Sequence, residues 1–266
     1  MVTVPGYAND LTLAAQLADA ADKITTARFG ALDLAVRRKP DRTPVTDADT
    51  AVEDAVRALL SEHRPADTVA GEERGGSVPD TGRAWVLDPI DGTKSFLRGV
   101  PVWATLIALV DGGEPVVGMI SAPLLGRRWW ASDGDGAWVR DHAGERRISV
   151  SAVAELSDAY LSTTDLGSWA EHHSRERYLA LVDACWETRA FGDFWSHCLV
   201  AEGAIDLAAE PIVNPWDVAA AQVLVTEAGG VFSDIHGRPG FTGGSALSAN
   251  SLLHSPALEL LREPGK

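Results

Sequence analysis

The spacing of apolar residues changes along this chain, and each change limits the fold that can follow. Residues 9–30 carry Leu13, Leu17, Ala20, Ile24 and Ala27 at helical spacing, with Asn9 or Asp10 placed to cap the start and Gly30 to stop the end. A polar loop follows, Arg37-Arg38-Lys39-Pro40-Asp41-Arg42-Thr43-Pro44. A second helix starts near Thr46, turns Val52, Ala55, Val56, Leu59 and Leu60 inward, and ends at Pro65. Strand spacing then takes over. Trp85-Val86-Leu87 is a short apolar run closed by Asp-Pro, as in a buried strand. Between Trp103 and Val150, apolar runs alternate with turns at Asp111-Gly112-Gly113, Asp133-Gly134 and Ala143-Gly144, which predicts an antiparallel meander. Beyond about residue 151, short strands at 159–162, 205–208 and 230–232 alternate with helical stretches near 172–184, 194–203 and 216–228. Such alternation belongs to α/β folds. The expectation is therefore an α/β protein with an α+β half over residues 1–150 and an α/β half over 151–266. No linker or repeat separates them, so the halves should pack closely and hold a ligand in the cleft between them.

Charge narrows the function. The 266 residues hold 38 Asp and Glu against 23 Lys and Arg, a formal net charge of −15. That balance argues against nucleic acid or an anionic membrane as a partner, and at first sight against any phosphate ligand. Cys185 and Cys198 are too few for a disulfide scaffold or a cysteine-rich zinc site, and they suit a reducing compartment. The seven histidines form no H-E-x-x-H. The N-terminal residues lack a basic segment followed by an apolar core, and the longest apolar stretch, near 100–110, is too short to span a bilayer. A cytoplasmic protein is expected.

Four acidic clusters stand out: Thr46-Asp47-Ala48-Asp49, Gly71-Glu72-Glu73, Asp88-Pro89-Ile90-Asp91-Gly92-Thr93 and Pro215-Trp216-Asp217. Taken singly, each has a structural explanation as a capping box, a solvated turn, an Asp-Gly turn or an N-cap. The third resists it. Asp88 closes a strand at its carboxyl end, where α/β proteins bind ligands. The Ile90 carbonyl can point the same way as that carboxylate, and Asp91-Gly92-Thr93 opens a short helix whose first N–H groups suit an anion. Carboxylates beside an anion site make sense with divalent cations between the two. Oxygen ligands without His or Cys favour Mg²⁺ over Zn²⁺. A calcium loop at Asp133-Gly134-Asp135-Gly136 fails, because Ala137 and Trp138 stand where Asp or Asn and then Gly are needed.

Gly71-Glu72-Glu73, Trp85-Val86-Leu87-Asp88-Pro89-Ile90-Asp91-Gly92-Thr93 and Trp216-Asp217-Val218-Ala219-Ala220 with Glu227-Ala228-Gly229-Gly230 resemble, in order and spacing, the inositol monophosphatase-like superfamily over about residues 8–262. The resemblance implies a layered α-β-α-β-α sandwich, usually a homodimer. It implies Glu72, Asp88, the Ile90 carbonyl, Asp91 and Asp217 as metal ligands for two or three Mg²⁺ ions, with Mn²⁺ as a substitute. Asp49 would reach a third ion through the loop that carries Lys39. Thr93 with Asp49 would polarise the attacking water, Glu72 counts among the catalytic residues, and the backbone N–H groups of Gly92 and Thr93 would hold phosphate.

Arg189-Ala190-Phe191-Gly192-Asp193, Val200-Ala201-Glu202-Gly203 and Pro211-Ile212-Val213-Asn214-Pro215-Trp216-Asp217 resemble the histidinol-phosphate phosphatase branch of that superfamily. Asp193 stands where inositol phosphatases usually place a small hydroxylic residue. The resemblance thus marks Asp193, Glu210, Arg189 and Asp91 for substrate recognition, with carboxylates meeting a cationic leaving group. Residues 163–169 match no part of the pattern. The implied reaction is Mg²⁺-dependent hydrolysis of a small phosphate monoester by metal-activated water. The near alternative is an inositol, fructose-bisphosphate or nucleotide 3′-phosphate phosphatase, and the distant one is an inactive metal-binding scaffold. Bound metals would reverse the sign of the site, so the net charge of −15 excludes nucleic acid but not phosphate.

Overall fold

Leu13, Ala14, Leu17, Ala18 and Ala21 form one buried stripe of helix α1 (Ala8–Arg28), which packs with Val52, Val56 and Leu60 of α2 (Asp47–His63). Both helices lie on one face of a seven-stranded sheet in a computed structural model that describes residues 6–40 and 43–262. The start of α1 differs from expectation. Tyr7 is its N-cap residue, with no side-chain cap, because Asp10 turns inward to accept from Arg64 (3.0 Å) and Arg83 (2.7 Å). The stretch expected as a polar loop contains β1 (Val36–Arg38) paired antiparallel with β2 (Pro44–Thr46), while Asp41 and Arg42 lie outside the described residues.

The seven-stranded sheet runs in sequence order: β3 (Thr68–Gly71), β4 (Arg83–Asp91), β5 (Ala104–Asp111), β6 (Glu114–Ala122), β7 (Arg127–Ser132), β8 (Gly136–Asp141) and β9 (Gly144–Ile148). Only β3 and β4 pair in parallel; the rest is the expected meander. The short helix α3 (Thr93–Leu97) follows β4 directly.

The second sheet holds β10 (Tyr160–Ser162), β11 (Glu187–Arg189), β12 (Leu207–Glu210), β13 (Val231–Ser233) and β14 (Ala246–Ala249), in the order β11-β10-β12-β14-β13. It is mixed: β10 pairs in parallel with β11 and β12, and β14 is antiparallel to its neighbours. Strand β12 starts two residues later than the spacing suggests, because the Asp206 carboxylate accepts from the Tyr160 N–H at 2.7 Å. The helices of this part are α4 (Leu166–His172), α5 (Arg175–Ala184), α6 (Asp193–Ala201), α7 (Pro215–Glu227) and α8 (His254–Leu261).

Alternation along β12 explains the layering. Leu207 and Ala209 face a core with Leu181 of α5 and Leu258 of α8, whereas Ala208 faces Leu199 and Val200 of α6. Phe194 and Cys198 of α6 and Val218–Val225 of α7 also pack on Val86, Leu106 and Ile120 of the first sheet. The order of layers is thus α1/α2, seven strands, α6/α7, five strands, α5/α8, an α-β-α-β-α sandwich. The Ala219-Ala220-Ala221 run brings α7 close to that sheet. A Cβ on Gly118 of β6 would stand 2.5 Å from the Ala220 carbonyl oxygen, so both surfaces need small residues. Among the described residues no helix is long and apolar enough to cross a membrane.

Candidate active site

In a regular strand, residues three apart point to opposite faces. Asp88 and Asp91 of β4 escape this rule through a bulge. Asp88 pairs with Leu106 and Asp91 with Ala104, so β4 carries one residue more than β5 over that interval. The buried Thr105 hydroxyl donates to the Pro89 carbonyl at 2.8 Å and anchors the bulge. Both carboxylates therefore face the α6/α7 layer. There Asp217, third residue of α7, completes a group whose oxygens lie within 4.8 Å of one another. Asn214 caps α7, and its backbone N–H donates to Asp217 at 2.7 Å. Ile90 N–H donates to Asp88 at 2.9 Å, and Phe194 N–H to Asp91 at 2.6 Å.

Glu72 follows β3, and its N–H donates to the Leu87 carbonyl, which places it beside the end of β4. Lys39 Nζ reaches Glu72 at 2.6 Å and Glu73 at 2.8 Å. Asp49 is buried at the start of α2 and closes a capping box with Thr46. Its other oxygen is 3.5 Å from the Thr93 hydroxyl, which donates to the Ile90 carbonyl at 2.9 Å. Gly92 takes a left-handed φ of 85° to turn from β4 into α3, and a Cβ there would press on the Val102 carbonyl and the Asp193 carboxylate.

Burial makes these acids hard to ionise. It holds the Asp88 and Asp91 carboxyls well above the usual range, with neighbouring carboxylates adding to the effect. Asp217 rises to about 7, chiefly by burial and against the pull of the Asn214 N–H. Asp49 rises to about 6 and Glu73 to about 7, both mainly by burial. Among the described residues no Lys or Arg pairs with Asp88, Asp91 or Asp217. The donor set is short of positive charge and offers oxygen alone, so it fits a hard divalent cation.

Asp91, Asp193, Glu210 and Asp217 line one cavity of about 180 Å³, together with Lys94 and Thr164. A neighbouring cavity of about 510 Å³ shares Lys94, Thr164 and Asp193 and reaches Glu72, Gly92 and Thr93. Of the expected residues, Glu72, Asp91, Gly92, Thr93, Asp193, Glu210 and Asp217 thus line two adjoining cavities, while Asp49, Asp88 and Ile90 are buried and line neither. Arg189 stands apart from all of them. It ends the edge strand β11, its guanidinium pairs with Glu187, and it lines neither cavity.

The model of the inositol monophosphatase family matches residues 8–263. The chain belongs to the inositol monophosphatase family. It is 57% identical to a protein named histidinol-phosphatase from Mycobacterium tuberculosis, over 95% of this chain and 98% of that one. It is 51% identical to a histidinol-phosphatase from Streptomyces coelicolor, over 98% and 99%. An inositol monophosphatase from Zymomonas mobilis superposes with a TM-score of 0.84 at 34% identity, over 96% and 98% of the two chains. The layered sandwich is the inositol monophosphatase fold, and the family is metal-dependent and acts on phosphate monoesters.

Two supports of this family site escape the sequence. Glu53 is fully buried and accepts from the Glu73 N–H (2.8 Å), the Arg74 N–H (3.1 Å) and Arg57 Nε (2.8 Å), fixing the turn that carries Glu72. A signal existed, since Glu53 lies one turn after Asp49 beside the apolar Val52 and Val56. Thr105 gives none, being one more β-branched residue in a strand.

Proposed function

We propose that this chain hydrolyses L-histidinol phosphate to L-histidinol and phosphate, with Mg²⁺ as the resident cation and Mn²⁺ as a substitute. The observation that carries this is the pair Glu210 and Asp193 on the leaving-group side of the cavity. Burial raises Glu210 to about 8, and no cation pairs with it among the described residues. Burial also raises Asp193, and the Lys94 charge only partly opposes it. A cationic leaving group supplies the missing charge; neutral inositol does not. The two histidinol-phosphatase relatives support the same substrate.

Glu72, Asp88, Asp91 and Asp217 with the Ile90 carbonyl would hold two cations, and Asp49 would reach a third. When bound, such cations neutralise charge on the phosphoryl oxygens and lower the pKa of a water. The protein's own groups do the rest. The Thr93 hydroxyl directs its proton to Ile90, leaving its lone pairs for the attacking water, and Asp49 stands next to it to accept a proton. The first N–H groups of α3, Gly92 and Thr93, hold the phosphate, since the first intrahelical bond runs from the Phe96 N–H to the Gly92 carbonyl. Asp193 and Glu210 orient the leaving alcohol. A cytoplasmic homodimer belongs to the same reading, and light scattering of the purified protein tests the dimer.

Phosphate release from L-histidinol phosphate and inositol 1-phosphate at matched Mg²⁺ tests the reaction. The expected preference in kcat/KM for the first is at least about tenfold. Equal or reversed values overturn the substrate, and no release from either overturns the enzymatic reading.

A further inference from the structure

Resting on that reading, we propose that the Thr164 hydroxyl is the positioning group that sets Glu210 and Asp193 against the leaving group. Thr164 lies in the stretch 163–169, which no sequence motif explains. Its single hydroxyl does two things at once. It donates to Glu210 Oε1 at 2.9 Å and accepts the Asp193 N–H at 2.7 Å. Glu210 ends β12 and Asp193 starts α6, so one oxygen couples two elements that have no contiguous backbone.

Asp193 needs such a hold. Among the described residues it is the only one besides glycine with a positive φ, 47°. That conformation is unfavourable for a residue with a Cβ and persists where surroundings fix it. The preceding Gly192, at φ 82°, is itself set by its N–H donating to Ser196 Oγ. Glu210 depends on Thr164 in the same way. The Thr164 hydroxyl and backbone N–H are the groups that counter its burial, and no other side chain is seen to donate to it among the described residues. Thr164 makes no hydrogen bond to Asp88, Asp91 or Asp217, which are held by the Ile90, Phe194 and Asn214 N–H groups, although it lines the cavity that reaches Gly92 and Thr93. Removing the hydroxyl should therefore loosen recognition of the leaving group more than it disturbs the phosphate side.

Thr164→Val keeps the shape of the side chain and deletes both bonds. It should raise KM for L-histidinol phosphate about tenfold with kcat within about twofold, and weaken L-histidinol binding by calorimetry to the same degree. The loss in hydrolysis of p-nitrophenyl phosphate should be clearly smaller than the loss on L-histidinol phosphate. Thr164→Ser, which restores the hydroxyl, should recover the wild-type KM. If the valine variant does not fold, Thr164→Ala takes its place with the same outcomes. Equal losses on both substrates, unchanged KM for L-histidinol phosphate, or failure of the serine variant to recover would overturn the role. A wild-type enzyme without preference for L-histidinol phosphate would instead fell the substrate reading and this inference with it, whereas a selective wild type with an equally selective valine variant fells this inference alone.

Discussion

At Asp88, burial and function pull in opposite directions. A carboxylate 2% exposed and surrounded by Glu72, Asp91, Asp217 and Asp49 is unfavourable in the metal-free protein, yet that concentration of charge is what attracts cations. Asp88→Asn should accordingly lower kcat by at least about 10²-fold while leaving the circular dichroism unchanged. In chelator the variant should melt no lower than wild type, because a neutral amide replaces a buried carboxyl that is costly to ionise. Near wild-type turnover would remove Asp88 from the site. That Asp88, Asp91 and Asp217 come together was legible in the sequence, because the acids stand in a specific order and spacing. The roles of Glu53, Thr105 and Thr164 were not, since each depends on hydrogen bonds to partners 16 to 46 residues away. Arg189 was marked by a motif match alone, and at the edge strand it meets Glu187 and neither cavity.

At the scale of elements, α7 places Asp217 by lying unusually close to β6. Gly118 and Ala220 make that approach possible. Gly118→Ala should destabilise by about 2 kcal/mol through overpacking and also raise the Mg²⁺ concentration for half-maximal rate, since α7 must shift. Thermal melts and metal titrations check both effects. A variant that loses stability but keeps its metal response would separate packing from site assembly. Long periodic elements were readable: α2 begins at the expected capping box and the meander turns at the expected glycines. Strands of three or four residues were less so. β11 and β14 are shorter than any periodic signal can resolve, and their pairing is set by neighbours distant in sequence. The bulge in β4 belongs with these. Asp-Pro-Ile-Asp reveals two acids three apart, but only the pairing with β5 shows that they share a face.

For the molecule as a whole, the raised carboxyls predict how stability responds to pH. Asp49 at about 6, Asp217 at about 7 and Glu210 at about 8 all exceed their unfolded values, so the folded state binds more protons. Metal-free protein should then lose stability as pH rises from about 4 to about 8, with the loss complete above the folded pKa values. Saturating Mg²⁺ should flatten the part of that slope owed to Asp217. Melting curves across this range, with Mg²⁺ and with chelator, test it; a chelated protein that gains stability toward pH 8 contradicts the assignment. The layer of α6 and α7 has a further consequence. Both helices come from the chain after β9, yet they cover the first sheet and deliver Asp217 to it. A recombination event between β9 and β10 would break neither sheet and would move Thr164, Asp193 and Glu210 as a block. Asp217 would travel with them, so a lineage changing the Thr164–Asp193–Glu210 block by such an exchange would exchange one of the three clustered carboxylates of the candidate metal site in the same step.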